Sequence, residues 1–307
     1  MADETPRKTR CGVVAVLGAP NAGKSTLVNQ LVGQKVAITS AKAQTTRARM
    51  MGIALHAGPA GETQMILVDT PGIFAPRRRL DRAMVSAAWE GAQDADALLL
   101  LVDPIKQRRH ELEPLIEQIA KRSERRILVL NKVDRAKKEP LLALAQDLSA
   151  KLDFAEVFFV SALTGDGVPE MKDALAAMMP EGPWMYPEDQ VSDASERLLA
   201  AEITREQLYQ QLHEELPYDS AVRSEKYVER DDGSVEIHQQ IVVMRDNQRA
   251  IVLGKGGSRI KAIGQAAREE LSQLLGRKVH LFLHVKTDER WSDDKEMFEE
   301  MGLDWVR

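Results

Sequence analysis

Cysteine is almost absent from this sequence: Cys11 is the only one among 307 residues. That excludes a disulfide framework and any zinc site built on cysteine clusters, and it fits a reducing compartment. Long apolar runs are missing too. The longest, Ala97 to Val102, falls far short of the roughly 20 residues that cross a bilayer, and Met1 to Arg10 holds no apolar signal core. Basic charge is not in excess, with 42 Lys and Arg against 47 Asp and Glu, a formal net charge of −5. A chain-wide cationic coat is therefore excluded, and any nucleic-acid site must be local. The six histidines show no metal-ligand spacing, and there is neither a repeat nor a low-complexity tract. What remains, 44% hydrophobic and 29% charged residues, is the composition of a globular cytosolic protein, and the length suggests two domains.

To about Pro180 short apolar runs alternate with amphipathic stretches. Val13 to Leu17, Met65 to Val68, Ala97 to Val102, Ile127 to Leu130 and Val157 to Val160 read as buried strands, which predicts an α/β domain with a mostly parallel sheet covered on both faces. Between Arg49 and Val68 two strand-like runs flank Gly58-Pro59-Ala60-Gly61, so a hairpin should add one antiparallel strand. The spacing thus places a first domain at 1–180, a linker at 181–194 rich in Gly, Pro and acidic residues, and a smaller α+β domain at 195–307. The second begins with a helical stretch from Ser195 to Leu216. A hairpin signal follows at Asp231-Asp232-Gly233-Ser234, then a glycine turn, a helix to about Leu275, a strand from Lys278 to Val285 and a tail helix from about Ser292.

Gly18-Ala19-Pro20-Asn21-Ala22-Gly23-Lys24-Ser25 fits the phosphate-loop pattern GxxxxGK[ST] and lies between a strand and a helix starting at Lys24. Backbone N–H groups and the positive helix end, reaching Thr26, suit phosphate oxygens. Lys24 suits the β and γ phosphates, and the Ser25 hydroxyl suits Mg²⁺. Asn131-Lys132-Val133-Asp134 follows a strand and so reaches the same sheet edge. A carboxylate at Asp134 accepts both guanine N1–H and N2–H, whereas adenine would leave it unpaired. Ser161-Ala162, after the next strand, offers a backbone N–H to guanine O6.

Asp69-Thr70-Pro71-Gly72 places a Mg²⁺-binding carboxylate at Asp69 and a γ-phosphate sensor at the Gly72 N–H. In Gln44-Thr45-Thr46-Arg47 one threonine, by preference Thr46 with Thr45 the alternative, would close the Mg²⁺ shell. Lys24, Thr46, Gly72 and Asn21 are therefore the candidate catalytic residues, and Ser25, Thr46 and Asp69 the candidate metal ligands.

In this order these motifs resemble the translation-factor-related GTPases. With GPWMYPEDQVSD, VLGKGGSRIKAIG and a tail carrying WSDD and MGLDW, the chain looks like a member of the Era family of bacterial GTPases, apart from its first ten residues. That resemblance implies a P-loop G domain followed by a type II KH domain. It further implies GTP hydrolysis with Mg²⁺ and GTP-controlled binding to 16S ribosomal RNA near its 3′ end in 30S subunit maturation. A cytoplasmic location with peripheral contact at the inner face of the cell membrane, and no DNA partner, belong to the same expectation. Ile73 occupies the position where Ras-like proteins orient the attacking water with glutamine, so other groups must serve. Asn21 is a candidate to seat a monovalent cation, K⁺, beside the phosphates.

Gly254-Lys255-Gly256-Gly257, with a helix after it, suits the clamp by which KH modules hold about four nucleotides, and Arg259 and Lys261 continue the candidate RNA site. From Arg245 to Arg290 ten basic residues face five acidic ones, a local +5 in a −5 chain. Arg77-Arg78-Arg79 reads as an exposed charge run, and Met178-Met179 as core. The rival reading is a GTP-gated signalling or membrane-associated switch whose second domain binds protein.

Overall fold

The computed structural model describes residues 9–40, 42, 44–106, 109–212, 216 and 218–306, with backbone only at 109–111. Residues 1–8 of the stretch read for a signal core, and 213–215 of the helix read as Ser195 to Leu216, lie outside them. Two compact units are present: one of residues to Ala37 with Thr46–Pro76 and Met84–Asp193, the other of Ile38–Thr45, Arg77–Ala83 and the chain from Ala194 on.

In the first unit the order is β1 (Thr9–Leu17), α1 (Lys24–Val32), β2 (Met50–Gly58), β3 (Gly61–Asp69), α2 (Arg79–Glu90), β4 (Ala97–Val102), α3 (Arg109–Ala120), β5 (Arg125–Leu130), α4 (Lys138–Lys151), β6 (Glu156–Phe159) and α5 (Val168–Met178). The sheet runs β2-β3-β1-β4-β5-β6, parallel throughout except for the β2–β3 hairpin. Alternation along each strand divides the core in two. Val14, Val16, Leu99, Leu101, Ile127 and Val129 pack with α1 and α5, while Ala15, Leu17, Leu98, Leu100, Leu128 and Leu130 pack with α3 and α4. Parallel order brings the loops after β1, β3, β4, β5 and β6 to one edge, where the motifs meet.

Residues 181–193 do not hang free of this unit. Gly182 N–H donates to the Thr9 carbonyl at 3.0 Å, and Ile53 N–H on the edge strand β2 donates to the Val191 carbonyl at 2.8 Å. The fully buried Gln64 side chain donates to the Tyr186 carbonyl at 2.8 Å and accepts from Met185 and Tyr186 N–H. The segment therefore covers an edge that would otherwise present unpaired backbone.

In the second unit come α6 (Glu196–Gln211), β7 (Ser220–Glu229), β8 (Val235–Val243), α7 (Asp246–Leu253), a 3-10 turn (Lys255–Gly257), α8 (Ser258–Leu274), β9 (Val279–Thr287) and α9 (Lys295–Glu300). Ser195 caps α6, its hydroxyl accepting from Leu198 N–H. The sheet β7-β8-β9 is antiparallel in its first pair and parallel in its second, the α+β arrangement expected. Helices α6, α7 and α8 bury one face of it through Ile203, Leu208, Val252, Ile263 and Leu271.

Two short segments distant in sequence complete this unit. Thr39 donates to Glu206 through its N–H at 2.9 Å, Tyr209 Oη donates to the Gln44 carbonyl at 3.2 Å, and Arg205 donates to the Thr45 carbonyl. Arg78 pairs with Asp219 at 2.7 Å, and Arg79 pairs with Asp293 at 2.8 Å and lies over the Trp305 ring. The run Arg77-Arg78-Arg79 is exposed at its first two residues, as expected of a charge run, and two of its three guanidinium groups form ion pairs. No helix among the described residues is long and apolar enough to cross a membrane.

Candidate functional site

The phosphate loop is held in a shape few sequences permit. Gly18, Gly23 and Asn21 all have positive φ, at 156°, 102° and 62°. A Cβ at Gly18 would lie 2.4 Å from the Leu101 carbonyl oxygen and one at Gly23 would lie 2.3 Å from Asn131 Nδ2, so neither position accepts a side chain. The motif after β3 presses on the same loop. A Cβ at Gly72 would lie 2.7 Å from Pro20 N, and Ile73 N–H donates to the Gly18 carbonyl at 3.1 Å. Thr70 fixes the turn by donating to the Val16 carbonyl at 2.6 Å. Ile73 packs its side chain against the Leu17 cluster and presents no polar group to water.

Lys24 is buried, with Nζ donating to the carbonyls of Gly18 and Ala19 at 3.2 and 3.1 Å. Burial pushes its pKa down to about 8, with the nearby Asp69 charge opposing the shift. Beside it, Ser25 Oγ lies 2.8 Å from Thr46 Oγ1 and donates to Asp69 Oδ2 at 2.7 Å, while Thr46 reaches the same oxygen at 3.3 Å. Two hydroxyls and a carboxylate converging without nitrogen or sulfur are the donor set of a hard cation, and the set fits Mg²⁺. The neighbouring Thr45 hydroxyl turns away and donates to the Lys42 carbonyl at 2.8 Å.

One buried side chain joins the base loops to the phosphate loop. Asn131 Nδ2 donates to the Ala22 carbonyl at 2.8 Å, and its Oδ1 accepts from Lys132 N–H at 2.8 Å and Ala162 N–H at 2.9 Å. Lys132, itself at φ 64°, donates to the Asn21 carbonyl at 2.8 Å, so one bond ties two left-handed non-glycine residues. Such conformations cost on the order of 1–3 kcal/mol each and persist where surrounding structure fixes them, typically at functional sites. Asp134 is exposed at the loop's tip. Ser161 N–H donates to the Asp166 carbonyl at 2.9 Å, so this N–H and that of Ala162, nominated by spacing for guanine O6, are both engaged within the loops.

Asp103 was not visible as a site residue. It follows β4 at the same edge, is 2% exposed, and pairs with Lys132 at 2.6 Å. Its only signal is position: an acidic residue ending a strand between two motif-bearing strands.

In the second unit Gly254, Gly256 and Gly257 have φ of 71°, 61° and 77°, and the turn Lys255–Gly257 projects between α7 and α8. Lys255, Gly256 and Lys261 are exposed. A Cβ at Gly254 would meet Arg259 Cβ at 2.8 Å, whereas Gly256 and Gly257 face open space. Arg259 donates to the Ile251 carbonyl at 3.0 Å, which gives it a part in fixing the turn.

A GxxxxGKS loop, a hard-cation donor set and an Asn-Lys-x-Asp loop on one sheet edge, followed by a helix–GxxG–helix unit on a mixed sheet, define a GTPase with a carboxyl-terminal KH domain. Residues 13–132 match the family described as 50S ribosome-binding GTPase, and residues 215–292 match the KH domain family. The chain is 81% identical to GTPase Era of Erythrobacter litoralis over 99% of its own length and 100% of the relative's, and 56% identical to GTPase Era of a Bradyrhizobium species over 98% and 96%. It resembles the crystal structure of a point variant of Aquifex aeolicus Era bound to GDP·AlF₄⁻, with TM-score 0.89 and 36% identity over 95% of this chain and 99% of that one. It also resembles Era in complex with MgGDPNP and nucleotides 1506–1542 of 16S ribosomal RNA, with TM-score 0.89 and 36% identity over 96% and 99%. The chain belongs to the Era GTPase family, and it hydrolyses GTP.

Proposed function

We propose that this GTPase binds small-subunit ribosomal RNA near its 3′ end and acts in assembly of the 30S subunit, with the KH unit holding RNA under control of the nucleotide state of the G domain. The observation that carries this reading is the open turn at Gly254-Lys255-Gly256-Gly257. Two of its glycines have nothing within 4 Å of a notional Cβ, which leaves room for a sugar-phosphate backbone, and Lys255 is exposed beside it. The relative crystallised with nucleotides 1506–1542 of 16S RNA supports the choice of RNA.

In the G domain, phosphate-loop N–H groups and Lys24 would bind the triphosphate, and Ser25, Thr46 and Asp69 would hold Mg²⁺, which would neutralise charge developing between the β and γ phosphates. Asn131 would keep the base loop in register with the phosphate loop, and Asp134 would select guanine. Water must be positioned by something other than Ile73. The Gly72 N–H, held against Pro20, and a monovalent cation near Asn21 are our candidates.

The test is titration of the full chain with labelled RNA spanning the 16S 3′ end and with a scrambled RNA, each at several salt concentrations. Preference for the first, with affinity falling linearly in logarithm of salt, is expected. No RNA binding at any salt, with a protein partner recovered instead, would favour the protein-binding switch.

A further inference from the structure

The KH sheet has a second face. Helices cover one side, and β8 and β9 turn their alternate side chains to the other, where the register sets Glu236 opposite His280, His238 opposite Phe282 and Gln240 opposite His284. On this open side the His238 and Phe282 rings stack, with centroids 4.7 Å apart and planes 23° from parallel. Phe282 is 49% exposed, which is expensive for a phenyl group on a strand with no place in the core. β9 is the edge strand, so no strand lies beyond it among the described residues.

The acidic group nearest the pair is covered by cationic partners. Glu236 accepts from Lys226 and His238 at 2.8 Å each and from Arg230. These partners, Lys226 first, hold its carboxyl well below the usual carboxylate range. Glu225 accepts from Gln240 at 3.0 Å and lies 3.5 Å from His284. The exposed Lys286 stands two strand positions beyond His284 on the same side. The same strand meets the helix that leads into the GxxG turn, since Arg249 on α7 donates to the Val285 carbonyl.

We propose that the His238–Phe282 stack is a platform for one unpaired base of the bound RNA, the base lying on the outer face of Phe282 and continuing the stack as the strand passes over the β9 edge from the GxxG turn. Aromatic stacking suits this position because every base offers a π face, and ring contacts there need no charge. The inference rests on the KH unit being an RNA binder, and the experiment separates the two.

The full chain carrying Phe282→Ala, Phe282→Trp or Lys255→Glu is titrated with RNA of nucleotides 1506–1542 bearing 2-aminopurine at successive unpaired positions. At one position wild type should quench the fluorophore. Phe282→Ala should abolish that quenching and weaken binding about tenfold with an unchanged salt slope, and Phe282→Trp should restore both. Lys255→Glu should weaken binding at every position and flatten the salt slope. GTP hydrolysis without RNA should be the same in wild type and the Phe282 variants, and matching circular dichroism spectra and thermal melts of the full chains show that the KH unit of each is folded. Wild type that binds RNA while Phe282→Ala binds equally well with undiminished quenching overturns the platform alone. Wild type that binds no RNA overturns the underlying reading. Self-association or protein capture that depends on Phe282, with RNA affinity unmoved, assigns the face to a protein and also overturns the proposal.

Discussion

Thr46 Oγ1 lies 2.8 Å from Ser25 Oγ, and both hydroxyls reach the same carboxylate oxygen of Asp69. The adjacent Thr45 hydroxyl is instead committed to the Lys42 carbonyl. Thr46→Ala should therefore lower GTP hydrolysis at saturating Mg²⁺ at least tenfold and raise the Mg²⁺ concentration needed for half-maximal rate, while Thr45→Ala should change either by less than threefold. Single-turnover rates across a Mg²⁺ series decide it. Equal losses in the two variants would remove Thr46 from the metal set.

Lys24, with its pKa pushed to about 8 by burial, is largely neutral at pH 9 in the free protein. Phosphate oxygens favour its charged form, so nucleotide binding should take up a proton between about pH 8 and the ordinary lysine value of 10.5. Calorimetric titration of GDP at pH 8.8 in two buffers of different ionisation enthalpy should show heats differing by close to one proton taken up. Lys24→Arg, charged at every accessible pH, should remove the difference. Linkage gives the companion sign for stability. The unfolded chain binds the proton more readily in this window, so the contribution of Lys24 to stability of the free protein increases as pH rises.

The nucleotide motifs were legible because each is a short local pattern whose chemistry demands particular residues next to one another. Gly18 to Ser25 and Asp69 to Gly72 are of this kind, and Gly58 to Gly61 announced the β2–β3 hairpin in the same way. Partnerships across the chain were not legible. The Lys132–Asp103 pair spans 29 positions, and nothing in either local sequence names the other. The placement of Ile38–Thr45 and Arg77–Ala83 in the second unit depends on Glu206, Tyr209, Asp219 and Asp293, far along the chain. The stretch 181–193 has linker composition, yet its backbone pairs with the edge strand β2 and with the start of β1, which runs beyond its pairing with β4, because unpaired strand backbone there is open to a chain that can reach it.

Asp134 sits exposed at the end of a loop that Asn131 fixes to the phosphate loop. Asp134→Asn replaces a double acceptor by an amide that can donate to xanthine O2, so preference should shift from GTP toward XTP, by a factor approaching about 10⁴ in the ratio of affinities. Competition binding with the two nucleotides measures it. A variant with the wild-type ratio would place base recognition elsewhere.

Within the GxxG turn the glycines differ in what they tolerate. A side chain at Gly254 would strike Arg259, so loss of function there would mix misfolding with lost contact. Gly257 faces open space, and aspartate there costs only the strain of a positive φ, roughly 1 kcal/mol. Gly257→Asp with Lys255→Glu should therefore reduce RNA affinity by at least tenfold, since two new carboxylates meet phosphate, and leave GTP affinity within twofold. RNA affinity unchanged in this folded double variant would contradict an RNA-clamping role for the turn.

Ile73 is an aliphatic residue packed against the core cluster that contains Leu17, so no side chain at that position orients the attacking water. Basal hydrolysis should then be slow, on the order of 10⁻⁴ to 10⁻² s⁻¹ as in unassisted GTPases. Asn21 stands in the phosphate loop with φ 62°, held by the Lys132 bond to its carbonyl. If its side-chain oxygen helps to seat a monovalent cation, KCl should accelerate single-turnover hydrolysis over NaCl at equal ionic strength, because the smaller Na⁺ fills a K⁺-sized ring of oxygens poorly. The gain belongs in kcat, since the added charge acts where negative charge gathers in the transition state. Asn21→Ala should bring the two salts to the same slow rate, while Asn21→Asp, which keeps an oxygen, should retain a cation preference. Wild-type rates that are identical in KCl and NaCl would eliminate the cation and leave bound RNA as the source of acceleration, which the same assay measures on adding nucleotides 1506–1542.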